Sequence, residues 1–226
     1  MSKNNLKYLA IIAMTLDHVT VLIPDMIIMN YIFHFIGRIT APLMCFFICE
    51  GYHHTSNLNM YALRLMLFSL ISWIPYSIFK YELITIEFSI ITNLLLGLMM
   101  IYVFDHEKEI LNKIIYMLVF LALSIYCDWF LFVPSWILIF HVYRKDVHKR
   151  NVAYTIISIF YCLFVIINGN GLTELLWAGG VFVVPFILTL YDEKKASNSK
   201  YKISVYNKWF FYIYYPLHLM ILQLLK

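Results

Sequence analysis

Long apolar stretches recur along this chain, separated by short polar clusters. At about 1.5 Å per residue, most are long enough to cross a bilayer core of ~30 Å as helices. They run near residues 6–24, 31–52, 59–80, 88–104, 110–127, 130–143, 152–168, 172–191 and 209–225. The sixth is short and holds Pro134, so a tilted or broken helix is expected there. The pattern predicts an all-α fold: a polytopic transmembrane helical bundle of about nine spans, with residues 1–226 forming one membrane domain.

The cationic residues supply an orientation. With the N-terminus cytoplasmic, fourteen Lys and Arg residues fall on one side, from Lys3 to Lys208, against Lys80 and Lys226 on the other; Arg38 lies inside a span. That asymmetry is the positive-inside pattern, and it places the N-terminus in and the C-terminus out. The longest connection, 192–208, is polar and lysine-rich and is expected to be a mobile cytoplasmic loop. No internal repeat stands out.

Composition agrees. The chain is 62% hydrophobic and only 13% charged, against roughly 25% charged for a soluble domain. The formal charge of +4 sits in alternate loops, as insertion produces, so no nucleic-acid partner is expected. The first apolar stretch lacks a small-residue cleavage site and contains Asp17 and His18, which argues for a retained helix over a signal peptide. The four cysteines show no CxxC spacing, and Cys45 and Cys49, one helical turn apart, read as packing residues. Neither a metal nor a disulfide framework is expected.

Against this background, ionisable residues inside the spans carry the functional signal. Placing Asp or Arg at mid-membrane costs about 2.5–3.5 kcal/mol on insertion scales. Asp17 and His18 lie roughly 16–18 Å along the first helix, and Arg38 falls at similar depth on the second, about 10 Å from its outer end. An intramembrane Asp17–Arg38 ion pair is therefore expected, either as a structural clamp or as part of a site. His18 has an unperturbed pKa suited to proton transfer near neutrality, although a membrane histidine is often a packing residue. At the other end of the second helix, Glu50 is followed by His53 and His54 at i+3 and i+4, a mouth-like cluster or merely an interfacial one. Arg64 near the start of the next helix either holds a phosphate or snorkels to the interface. Asp128 and His218 are candidate cavity-lining residues. No Gly-rich phosphate loop, HExxH or GxSxG motif is present.

These residues fall in segments with a familiar order. Leu6-Lys7-Tyr8 through Leu16-Asp17-His18, Ile36-Gly37-Arg38-Ile39-Thr40-Ala41-Pro42, Glu50-Gly51-Tyr52-His53-His54-Thr55 and Tyr61-Ala62-Leu63-Arg64-Leu65 resemble the TraX family. So do Ile74-Pro75-Tyr76, Leu96-Gly97-Leu98, Asp128-Trp129 and the ending Phe211-Tyr212-Ile213-Tyr214-Tyr215-Pro216-Leu217-His218. The fourth stretch departs from the pattern, with Asn93 where a Thr is expected.

The resemblance implies an integral-membrane acetyltransferase of the bacterial cytoplasmic membrane. Such a protein takes acetyl from cytoplasmic acetyl-CoA and passes it to an amine or hydroxyl: a pilin N-terminus, an envelope component or a small molecule. It implies His18 as general base, with Asp17, Arg38 and Glu50 in the catalytic set. Arg64, His53 and His54 would lie on the donor side, and Asp128, His218 and Asn93 along a cavity. A transporter or channel, or a non-catalytic assembly factor for a small membrane peptide, remain the alternatives to this reading.

Overall fold

In a computed structural model the chain is described over residues 3–169, 171–191 and 205–226. The lysine-rich connection expected at 192–208 lies outside the described residues up to the start of a helix at Val205. The helices are α1 (Lys3–Val19), α2 (Ile27–Gly37), α3 (Thr40–His54), α4 (Leu58–Tyr81), α5 (Ile90–His106), α6 (Ile110–Leu123), α7 (Phe132–Val142), α8 (Val147–Asn168), α9 (Leu175–Ala178), α10 (Val184–Thr189) and α11 (Val205–Leu225). Among the described residues there is no strand beyond an isolated bridge between Phe88 and Cys127.

Among the described residues, four stretches are long and apolar enough to cross a membrane: Ile27–His54, Leu58–Tyr81, Val147–Asn168 and Gly171–Thr189. Along α4, Leu67, Leu70, Ile71 and Ile74 are exposed, as are Ile156, Ile159, Phe160, Leu163 and Ile167 along α8. Apolar faces this large are unfavourable in water and favourable in lipid, so the chain reads as a membrane protein.

The chain separates into two compact units, Met1–Leu43 with Ser158–Lys226, and Met44–Ile157. In the first, α1 packs on α2 and α11. Leu6, Ala10 and Ala13, at i, i+4 and i+7, have no exposed surface, the one-face spacing of a packed helix. Gly37 explains how closely α1 and α2 approach: a Cβ there would stand 2.3 Å from Asp17 Cβ.

The apolar stretch expected as one helix over 31–52 is two helices, broken at Arg38 and Ile39. Pro42 supplies the reason. It has no N–H to offer the carbonyl four residues back, which is that of Arg38, and its ring crowds that carbonyl. Thr40 Oγ1 then donates to the Ala10 carbonyl at 3.1 Å, tying the start of α3 to α1.

The stretch expected over 172–191 is likewise fragmented, into a 3-10 turn at Gly171–Glu174, α9, a second 3-10 segment at Gly179–Val183, and α10. Gly180 brings that segment against α2, where a Cβ would come within 1.9 Å of the Phe35 carbonyl oxygen and 3.1 Å of Arg38 Cβ.

In the second unit α5 is the centre, packed against α4, α6 and α7. Ile91, Leu94, Leu98, Met100 and Ile101 are buried along it. Aromatic rings fill the neighbouring core: Phe46 meets Phe140 edge-on at 5.8 Å, and Phe140 stacks on Tyr154 at 5.6 Å. Ahead of α7, Trp129 and Phe130 both have positive φ, 62° and 43°. Each is uphill for a residue with a Cβ. The turn is held by Asn93 on α5, whose Nδ2 donates to the carbonyls of Asp128 and Phe130, both at 2.8 Å.

Candidate functional site

In the first unit, α1 carries Asp17 and His18 to the neighbourhood of α2 and α11. The expected ion pair forms, with Arg38 Nη2 donating to Asp17 Oδ1 at 3.3 Å. A third group joins it: His34 Nδ1 lies 2.7 Å from the same oxygen. A carboxylate only accepts, so His34 Nδ1 carries the proton in this contact. His34 lies on α2 and Arg38, four residues on, caps its end in helical conformation, so the two share a face. The Arg38 guanidinium also lies over the Trp177 ring, 4.4 Å from its centroid. His34 and Trp177, with Ile27, Asn30 and Tyr31, line a cavity of about 240 Å³.

His18 is held from the other side by α11. Its Nδ1 is 2.8 Å from His218 Nε2, and the two rings stack at 5.0 Å. His218 Nδ1 lies 3.0 Å from the Tyr214 carbonyl, to which it can only donate. With Nδ1 protonated, neutral His218 presents its Nε2 as acceptor. His18 must then donate through Nδ1, which leaves the lone pair of neutral His18 on Nε2. The Tyr214 hydroxyl also shares a hydrogen with Thr15 Oγ1 at 2.7 Å, a second polar tie between α1 and α11. His218, expected as a cavity-lining residue, is here a buried partner of His18.

In the second unit, Glu50 is buried on α3 and accepts from Arg144 Nε at 3.1 Å. His54 Nε2 approaches the other Glu50 oxygen at 3.4 Å and Arg144 Nη2 at 3.4 Å. His53 does not join this group. Its ring stacks on His141 at 5.1 Å, and His141 Nε2 is 2.9 Å from Asp105 Oδ1. Arg64 on α4 lies over the Tyr61 ring at 5.9 Å, and its Nε has no hydrogen-bond partner among the described residues. A Cβ on Gly51 would meet the Tyr61 hydroxyl at 2.7 Å, so the glycine lets α4 lie close to α3. Arg150, at the start of α8, is buried, and its Nε is likewise without a partner.

Asp128 belongs to a separate group, 3.7 Å from Lys80 Nζ, which also reaches Glu87 at 2.5 Å and the Tyr76 hydroxyl at 2.8 Å. Tyr81 donates to the other Glu87 oxygen. Asn93 is fully buried and spends its amide on the turn before α7.

Several contributors escaped the sequence reading: His34, Trp177, Tyr214, Asp105, His141 and Arg144. The signal for His34 was its i, i+4 spacing to Arg38 inside an apolar stretch, the same spacing that picked out Glu50 and His54. His141 and Arg144, at i and i+3, sit where α7 ends: His141 lies inside an apolar stretch with no near-sequence partner, and the loop position of Arg144 disguised it as an ordinary positive-inside residue.

No solved structure matches this chain. A curated relative described as "Probable fimbrial assembly protein FimC, serogroup H1", from Dichelobacter nodosus, is 26% identical over 231 residues, covering 96% of this chain and 92% of the relative. A family model described as TraX protein matches residues 2–226. That match runs through both histidine-bearing units and nearly the whole length, and the chain belongs to the TraX family.

Proposed function

We propose that this protein is an integral-membrane acetyltransferase that uses acetyl-CoA as donor and an amine or hydroxyl as acceptor, with His18 as the base. The observation that carries this reading is the held tautomer of His18. Its Nδ1 is committed to His218 at 2.8 Å, and that commitment puts the basic lone pair on Nε2. A general base works when its orientation and tautomer are settled before the substrate arrives.

In the proposed reaction His18 Nε2 takes a proton from the acceptor as its nitrogen or oxygen attacks the thioester carbonyl. Charge develops on the carbonyl oxygen, and Arg38 is the cation suited to stabilise it. The C–S bond then breaks, and the imidazolium returns its proton to the departing CoA thiolate. Asp17, fixed by His34 and Arg38, keeps a negative charge beside the imidazole and favours the cationic intermediate. For the donor, Arg64 and Arg150 are the guanidinium groups suited to phosphate recognition, in a bidentate fork that Lys does not provide. His53 and His54 belong to the same donor-side assignment, with Glu50 anchoring Arg144. We place the chain as a multi-pass protein of the bacterial cytoplasmic membrane with its N-terminus inside, on the strength of the Lys and Arg asymmetry.

The test combines two measurements. Mass spectrometry of envelope proteins, glycans and small molecules from cells with and without this protein should show one species that loses an acetyl increment in its absence. Purified His18→Ala protein, still monodisperse, should transfer acetyl to that species about 10²–10⁴-fold more slowly, the usual contribution of a general base. Undiminished turnover by His18→Ala would remove that residue from the mechanism.

A second reading has one observation in its favour. The relative in Dichelobacter nodosus carries a fimbrial assembly name, so a non-catalytic factor that holds a small membrane peptide is the competing proposal. Binding of acetyl-CoA to the purified protein separates the two, because an assembly factor has no use for the donor.

A further inference from the structure

We infer that the second unit contains a binding site for one zinc-class divalent transition-metal ion, formed by Cys49 and His53 of α3 and His141 of α7, with Asp105 orienting His141. Each of the three residues offers one ligand atom, and those atoms lie within 4.8 Å of one another. A tetrahedral zinc ion with bonds of 2.0–2.3 Å needs its ligand atoms about 3.3–3.8 Å apart. The required contraction falls to the exposed His53 ring, the least confined of the three.

The stronger observation is the state of His141. Its side chain is 5% exposed, and its Nε2 lies 2.9 Å from Asp105 Oδ1. A carboxylate cannot donate, so in the neutral imidazole the proton is on Nε2 and the lone pair on Nδ1. That Nδ1 is buried and has no hydrogen-bond partner among the described residues. A buried lone pair with no partner among the described residues, on a ring stacked against a second imidazole and close to a thiol, is what a metal ligand presents before the metal arrives. Asp105 is fixed in turn by the Tyr52 hydroxyl, which donates to its other oxygen at 2.7 Å. Carboxylate, imidazole and metal in this sequence form the usual outer support of a zinc-bound histidine.

The donor set selects the ion. One thiolate and two imidazoles suit zinc and disfavour magnesium and calcium, which take oxygen. Charge also closes: the dication, the Cys49 thiolate and the Asp105 carboxylate sum to zero, which suits a site among apolar helices. Three protein ligands leave a fourth position for water or a small ligand. Sequence spacing hides the site, because His53 and His141 are 88 residues apart.

The experiment uses the full chain purified in detergent. After supplementation with zinc and removal of excess, elemental analysis should give one zinc per chain. Cobalt titration should give tetrahedral ligand-field bands together with a thiolate-to-cobalt charge-transfer band. Cys49→Ser should abolish the charge-transfer band while the protein stays monodisperse, and Cys162→Ser should leave it intact. Asp105→Asn should weaken zinc binding about 10–100-fold without removing the band, as loss of outer support does. If the wild-type chain retains less than a tenth of a zinc, or if the charge-transfer band survives Cys49→Ser, the site is not as described. Because the readout is the metal alone, it is independent of acetyl transfer.

Discussion

His18 Nδ1 lies 2.8 Å from His218 Nε2, across 200 residues of chain. This contact joins α1 to α11 and sets the tautomer of His18, so it yields a prediction that separates positioning from packing. His218→Ala removes the acceptor and lets the His18 ring choose either tautomer. On the proposed mechanism kcat should fall about tenfold or more with KM for acetyl-CoA little changed. His218→Gln, whose amide oxygen also accepts, should recover part of the rate. Equal loss in both variants would mean that the pair serves packing alone. Steady-state kinetics on the two purified variants reads the difference.

Gly37→Ala tests the approach of α1 and α2. A Cβ at this position would stand 2.3 Å from Asp17 Cβ, against carbon atoms in a helix that has little room to give. Overpacking of this kind costs about 1–3 kcal/mol. The expected result is a lower midpoint of thermal unfolding in detergent. An unchanged midpoint would show that α1 moves aside freely.

Asn93→Thr should be less benign than its side-chain size suggests. Asn93 Nδ2 serves two carbonyls at 2.8 Å each, and a threonine hydroxyl has only one hydrogen to give. One part-buried carbonyl then loses this hydrogen bond, at about 0.5–1.5 kcal/mol, beside two residues already at positive φ. Hydrogen exchange of the 128–132 segment should quicken, while α1 and α2 keep their protection.

Asp146 gives a pH dependence outside the apolar spans. Its Oδ1 accepts from the Lys149 backbone N–H at 3.0 Å, and that bond, with the Lys149 ammonium, holds its carboxyl below the usual carboxylate value of 3.8. A depressed folded pKa means that the stabilising contact is present above the ordinary value and is lost as pH falls through the folded one. Protection of the Lys149 amide, corrected for intrinsic exchange, should therefore hold at neutral pH and drop only below about pH 4. Asp146→Asn should remove that acid transition.

Much of the architecture was legible because hydropathy and helix length obey one arithmetic. The stretches at 59–80 and 88–104 correspond to α4 and α5 within a few residues. What escaped was discontinuity. Pro42 lies within the stretch expected as one helix, and the break appears four residues earlier at Arg38, because a proline acts on the carbonyl behind it. The 3-10 segment within 172–191 has Gly180 pressed on the Phe35 carbonyl, a contact no local pattern reveals.

The site divided in the same way. Depth matching was enough to bring Asp17 to Arg38, since one lies on α1 and the other caps α2, the next helix after a short turn. It had no purchase on His218 or on the His141–Asp105 pair, whose partners depend on which distant helices become neighbours. Glu50 and His54 were readable from i, i+4 spacing, whereas Arg144, which neutralises Glu50, comes from 94 residues away.

The distance in sequence between His18 and His218 also has a consequence for how the protein is made. Asp17 meets His34 and Arg38 within one helical hairpin, so its charge is compensated almost as soon as α2 has been made after α1. His18 has no such early partner in α11: at 5–20 residues per second, His218 is synthesised about 10–40 s later. During that interval the α1–α2 hairpin carries Asp17 already paired, while the stacking of His18 on His218 has yet to form. The order of translation thus places charge neutralisation first and the setting of the histidine tautomer last, so the α1–α2 hairpin is assembled well before His18 gains the hydrogen bond that fixes its ring.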